Sequence, residues 1–127
     1  MSTLFTEPQS FTSGGDFGYY EFKPDIDLDL RGKNIKFDDA LDMAFSKTKT
    51  PKSEFNVTKW AKDKYGKSMP VEWKAPNGAE VSVDIGHPLQ SQAPTKPHIG
   101  WQTAGKRGIG GSFRGHIFLD DVPINRN

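Results

Sequence analysis

Residues 70–85 read PVEWKAPNGAEVSVDI. Val71, Trp73 and Ala75 alternate with Glu72 and Lys74, a PNG turn follows, and Ala79, Val81, Val83 and Ile85 then alternate with Glu80, Ser82 and Asp84. Side chains of a strand point alternately to its two faces, so two period-two runs joined by Asn-Gly predict a hairpin with one buried and one polar face. Upstream, VTKWAKDKYGKS predicts another strand running into a turn at Tyr65-Gly66. Downstream, HIGWQTA and RGHIFLDDV predict two more, separated from the hairpin by the exposed proline-rich link GHPLQSQAPTKP, residues 86–97.

Ahead of this meander lies FDDALDMAFSKT. Phe37, Ala40, Leu41, Ala44 and Phe45 fall at helical spacing, and Asp38 and Asp39 suit the positive end of a helix dipole. TPKSEF after it predicts a capped single turn at Thr50-Pro51. The order predicts an α+β domain, an N-terminal helix packed on a four- to five-stranded antiparallel sheet. IDLDL, residues 26–30, predicts a short edge strand or an extended arm; Asp25, Asp27 and Asp29 lack the glycine turn and closing glutamate of a calcium loop. Residues 1–18, with TSGGDFG, predict a flexible N-terminal arm, and 19–127 a single domain.

The chain has 127 residues and no cysteine, which excludes disulfides, thiolate catalysis and cysteine zinc sites. No apolar run approaches a membrane span and no secretory leader is evident, so a soluble domain without a membrane partner is expected. Residues 1–45 hold four basic and nine acidic side chains, residues 46–127 thirteen and seven, a basic half suited to an anionic partner.

Chemistry concentrates in PHIGWQTAGKRGIGGSFRGHIFLDDVP, residues 97–123. Strand parity puts Arg114 and His116 on one face, about 6–7 Å apart, and Ile117 and Leu119 on the other. It likewise groups His98 with Gly100 and Gln102, and Ile99 with Trp101 and Thr103, without deciding which face is open; Trp101 could be core or a stacking platform. Two imidazoles beside cations have the parts for metal-independent RNA cleavage: one takes the proton of a ribose 2′-hydroxyl, an acid protonates the leaving oxygen, and cations stabilise the phosphate. The candidate catalytic set is His98, His116, Lys106, Arg107, Arg114 and Thr103, with Ser112 as a supporting donor. Candidate RNA contacts are Trp101, Lys62, Lys64 and Lys67, with Trp60 and Tyr65 as further aromatics able to stack on bases.

Each of these has an ordinary reading. His87, before a proline loop, suits a turn; His98 could begin a strand without chemistry, and His116 could be a satisfied core imidazole. Lys106 and Arg107 could solvate a hairpin tip, and the glycines around them lack the P-loop order. Asp120 and Asp121 suit solvated strand ends, and a metal site of His98, His116 and Asp120 matches no standard ligand set. No metal or cofactor is expected.

The stretch VTKWAKDKYGKSMPVEWKAPNGAEVSVDIGHP, followed by PHIGWQTAGKRGIGGSFRGHIFLDDVPINR, resembles the C-terminal toxin domain of bacterial polymorphic toxins, polymorphic toxin type 47. The likeness covers roughly residues 30–126 and rests on several motifs in order. It implies a predicted ribonuclease with the fold shared by barnase, EndoU, RNA-cleaving colicins and RelE. It also implies a domain secreted as part of a larger effector, acting in the target-cell cytoplasm on RNA such as tRNA, and held in check by a cognate immunity protein; the domain is expected to be a monomer. A non-catalytic nucleic-acid-binding module and an adaptor domain of a secretion apparatus are the competing readings; in the latter the acidic segment docks and the hairpin is only a turn.

Overall fold

A computed structural model describes residues 18–86, 94–105 and 111–124. The element order is β1 (Leu28–Asp29), α1 (Phe37–Lys47), a 3-10 turn (Lys52–Glu54), β2 (Asn56–Lys62), β3 (Ser68–Lys74), β4 (Glu80–Asp84), β5 (His98–Gln102) and β6 (Arg114–Phe118). The architecture is α+β, as expected, but the sheet has six strands in the order β1-β6-β5-β4-β3-β2 and is mixed. The expectation of four or five antiparallel strands is corrected by β1, which joins β6 in parallel through Leu28↔Ile117 and Asp29↔Phe118. IDLDL is thus the edge strand its alternation suggested, and its partner lies almost the whole chain away.

The hairpin of residues 70–85 forms as read. Val71 and Trp73 on β3, Val81 and Val83 on β4, and Ala75 and Ala79 flanking the turn are buried, while Ile85 remains exposed. At the turn the Gly78 N–H donates to the Ala75 carbonyl (3.0 Å) and the Ala75 N–H to the Ala79 carbonyl (2.9 Å). Gly78 takes φ +99°, the left-handed position that a three-residue hairpin loop reserves for glycine.

Helix α1 buries Ala40, Ala44 and Phe45 and lies against β5. The Phe45 ring meets Trp73 edge-on at 5.3 Å and Phe55 at 5.0 Å. The helix ends where Thr48 Oγ1 donates to the Phe45 carbonyl (2.6 Å) and Lys49 turns to φ +58°. The single turn after Pro51 is present as a 3-10 turn but has no side-chain cap; Thr50 Oγ1 instead accepts from Asn77 Nδ2 (3.1 Å), tying it to the β3–β4 turn.

Ile99, Trp101 and Ile117 complete the core under the helix, together with Val122 and Ile124, which the chain brings back beneath the sheet to a bridge with Asp63. Gly115, across from Trp101, is where this packing is tightest. A Cβ there would lie 2.3 Å from the Ile26 carbonyl oxygen and 2.4 Å from the Trp101 ring. Backbone and a buried indole give little relief, so Gly115→Ala is expected to cost about 1–3 kcal/mol or more. A thermal midpoint equal to that of the native chain would refute this.

Candidate functional site

The strand register settles what parity left open. His98 pairs with Phe118, Gly100 with His116 and Gln102 with Arg114, and the intervening Ile99, Trp101 and Ile117 face the helix. His98, His116 and Arg114 therefore share the sheet face opposite α1. Gly100, directly across from His116, carries no side chain, and the two imidazoles meet on the diagonal with ring centroids 5.1 Å apart, edge to face.

That face, which the two-residue period left undecided between open and covered, is not open at the histidines. His98 is 4% and His116 9% exposed, and a strap formed by residues 18–27 lies over His116 and Phe118. Tyr20 packs edge-on against His116 at 4.7 Å and Phe22 against Phe118 at 5.9 Å. The strap then tightens into a turn in which the Ile26 and Asp27 N–H groups donate to the Lys23 carbonyl (3.0 and 2.7 Å), with the Lys23 ammonium 4.5 Å from the Tyr20 ring centroid.

This turn drives the Asp27 carboxylate beneath His116. Oδ1 accepts the His116 backbone N–H (2.9 Å) and lies 3.1 Å from His116 Nδ1. Oδ2 accepts the Tyr20 hydroxyl (2.5 Å) and the Lys23 N–H (2.8 Å). The side chain is wholly buried. Burial alone would push the Asp27 carboxyl up, but the hydrogen bonds from His116, Tyr20 and Lys23 outweigh it and hold it below its ordinary value. Burial, with the adjacent Asp27 carboxylate, pushes the Tyr20 phenol strongly upward, so it stays an O–H donor at neutral pH.

These partners fix the protons on His116. Tyr20 gives its hydrogen to Asp27, so its oxygen, 3.1 Å from His116 Nδ1, is an acceptor there. Nδ1 therefore faces two acceptors and must carry a proton, which makes Nε2 the atom that accepts one in the neutral ring. His98 Nδ1, 2.7 Å from the Lys96 carbonyl oxygen, is likewise a donor, so its neutral ring also accepts at Nε2.

The other expected residues separate. Arg114 is exposed at the open end of this face. Thr103 Oγ1 accepts the Phe113 N–H (2.7 Å) and the Thr103 N–H donates to the Phe113 carbonyl (2.9 Å), which clamps the base of the last hairpin rather than reaching the imidazoles. Ser112 Oγ is buried with no partner among the described residues. Trp101, expected as a stacking residue, is a core residue on the helix side, 6% exposed.

Lys62, Lys64 and Lys67 are exposed on the β2–β3 hairpin, and Lys64 pairs with Asp121. Lys62, on β2, is three strand spacings from β5 and four from β6, about 14 and 19 Å, so it does not join the histidines. Trp60 and Tyr65 on the same hairpin are 59% and 91% exposed. Lys106, Arg107 and His87 lie outside the described residues.

Asp25 is exposed, Asp27 serves His116 and Asp29 pairs with Arg31 (2.8 Å), so the three aspartates form no calcium loop. Asp120 Oδ2 accepts the Gly32 N–H (2.9 Å), and among the described residues no three histidine or carboxylate side chains gather to hold a metal. No helix of the described residues is long and apolar enough to cross a membrane.

Sequence reasoning missed Tyr20 and, as a partner of His116, Asp27. Asp27 showed only as one of three alternating aspartates, and nothing local distinguishes the buried one from its exposed and ion-paired neighbours. The one available hint was a tyrosine pair, Tyr19-Tyr20, just ahead of that acidic alternation.

The family model described as bacterial toxin 47 matches residues 17–126. The chain belongs to this bacterial toxin family. The match begins at residue 17, so the strap with Tyr20 and Asp27 falls inside the toxin domain. No curated protein and no solved structure matches the chain.

Proposed function

We propose that this bacterial toxin 47 domain is a metal-independent endoribonuclease whose centre is the His116–Asp27 pair with His98 beside it. The observation that carries the reading is the buried carboxylate that holds His116 Nδ1. A buried charged group is costly unless fully hydrogen-bonded and is seldom a net source of stability. Here four donors from three residues satisfy one carboxylate, and the outcome is an imidazole with a defined tautomer next to a second imidazole. The same bonds would satisfy a core histidine, so the second imidazole, with its ring centroid 5.1 Å away, is what favours chemistry.

In the proposed reaction, which requires RNA to reach imidazoles that are 4% and 9% exposed, His116 Nε2 takes the proton of a ribose 2′-hydroxyl. The freed oxygen attacks the adjacent phosphorus, the bond from phosphorus to the 5′-oxygen breaks, and His98 in its protonated form supplies a proton to that leaving oxygen. The products are a 2′,3′-cyclic phosphate and a 5′-hydroxyl. Arg114, at the exposed end of the face, stabilises charge on the phosphate. Lys106 and Arg107 are assigned the same duty by their charge and nearness in sequence. Lys62, Lys64 and Lys67, with Trp60 and Tyr65, would hold RNA away from the cleavage point by phosphate contact and base stacking. The helix followed by a sheet bearing the site supports assignment to the barnase, EndoU, colicin and RelE group. Family membership supports a domain delivered within a secreted effector; action in the target-cell cytoplasm as a monomer, on RNA such as tRNA, and restraint by an immunity protein belong to the same proposal.

The test is regulated expression of the chain without its neighbouring gene, followed by electrophoresis of total RNA, and in parallel cleavage of purified RNA with and without EDTA. Discrete fragments that persist in EDTA, ending in cyclic phosphate, are expected. Intact RNA in cells that have lost viability would overturn the reading.

A further inference from the structure

The strap presents one group that the proposed reaction does not use. Tyr20 touches no reacting atom, yet its hydroxyl donates to Asp27 Oδ2 (2.5 Å), its oxygen lies 3.1 Å from His116 Nδ1, and its ring edge lies against the imidazole at 4.7 Å. The geometry points to Tyr20 as a positioning residue of the His116 centre, acting through Asp27 and through the imidazole itself; this rests on the ribonuclease reading of that site.

Two separate effects follow from these contacts. Asp27 Oδ1 already serves the His116 backbone N–H as well as Nδ1, so the carboxylate keeps its orientation only while Oδ2 is held as well. The Lys23 N–H holds Oδ2 from one side and the Tyr20 hydroxyl from the other. The second effect is on the ring. With Asp27 Oδ1 and Tyr20 Oη both at 3.1 Å, Nδ1–H is shared between two acceptors, and rotation of the imidazole about its Cβ–Cγ bond would lose both at once. The centre is therefore composite: the sheet supplies the histidines, while the strap, from the other end of the chain, supplies the groups that orient one of them. Undocking the strap would leave the imidazoles in place without a defined tautomer on His116.

Tyr20→Phe removes the hydroxyl and keeps the ring that packs on His116 and Phe118, and Tyr20→Ala removes both. The decisive measurement is the ring-nitrogen chemical shifts of His116 in the full chain, which report which nitrogen holds the proton. The native chain is expected to show Nδ1–H alone at a pH where the ring is neutral, and Tyr20→Phe a mixture of the two tautomers. In RNA cleavage the same variant is expected to lose about tenfold in kcat with KM unchanged, because the hydroxyl meets no substrate. A native-like tautomer in Tyr20→Phe overturns the proposal, as does native or faster cleavage by Tyr20→Phe or Tyr20→Ala, which would make the ring only a cover. If the native chain leaves RNA intact, the ribonuclease reading fails by itself, and the nitrogen shifts still decide whether Tyr20 positions His116.

Discussion

His116→Ala is expected to lower RNA cleavage by about 10²–10⁴-fold, the contribution of a positioned proton acceptor, and to relieve growth inhibition on expression. In the proposed reaction the loss follows from where the proton acceptor sits. Asp27 and Tyr20 occupy the Nδ1 side of the ring, so no other group among them can take over: Asp27 is saturated with donors, and the Tyr20 phenol keeps its proton. His98 has its own Nδ1 directed at the Lys96 carbonyl and cannot turn to replace its neighbour without breaking that bond.

RNA binding by the variant is expected to stay near native, since the exposed lysines and aromatics lie on the β2–β3 hairpin, at the opposite edge of the sheet from the β1–β6 side. Initial rates on a fluorescent oligoribonucleotide, with affinity measured by anisotropy, separate the two. His116→Gln preserves most of the side-chain volume and guards against a loss caused by a cavity beside Phe118. Native cleavage rates in both variants would remove His116 from the reaction. A native chain that binds RNA and leaves it intact would favour a nucleic-acid-binding module over an enzyme.

The same residues show how far local pattern reaches. The β3–β4 hairpin, helix α1 and the β2 strand were legible because each is specified by its own residues: alternation, a stripe at helical spacing, and an asparagine-glycine turn. The pairing of Arg114 with His116 on one face followed from the two-residue period alone. Cover over that face was not legible, because burial is a property of what returns to the site, and what returns is a segment 89 residues upstream in sequence at the Asp27 contact. Parallel addition of β1 to β6 escaped for the same reason. Two residues of strand carry no signal of their partner, and it is the bare Gly115 that lets the chain at Ile26 approach closely enough to begin the pairing. Trp101 could not be placed by pattern because an indole suits a core and a stacking platform equally; the register with Gly115 decided for the core.

Asp27→Asn is expected to impair both activity and acid-dependent stability. Asparagine can still accept from Tyr20 and Lys23 through its oxygen, but its amide nitrogen would then face the His116 backbone N–H and Nδ1, donor against donor. The ring escapes this by carrying its proton on Nε2 instead, which leaves no acceptor for the ribose hydroxyl. A change of this kind beside a histidine base costs about 10⁴ in rate where it has been worked out for serine proteases, and a fall of about 10³–10⁴ is expected here. Loss of hydrogen bonds to a charged acceptor also costs roughly 1.5–3 kcal/mol at neutral pH. The pH dependence has a definite sign. The Asp27 carboxyl is held below its ordinary value of 3.8 in the folded chain, so its contribution is complete above that value and is lost as pH falls from there through the lower folded-state value. Asp29 and Asp121 are held low as well, by Arg31 and by Lys64, but both are substantially exposed and unchanged in the variant. Chemical denaturation of native and Asp27→Asn chains from pH 7 down to about 2 therefore reads the buried carboxylate together with the His116 ring it holds. The two stability curves should lie apart at neutral pH and converge as acid protonates Asp27, and curves that stay parallel would mean that the carboxylate beneath His116 is not ionised in the folded toxin.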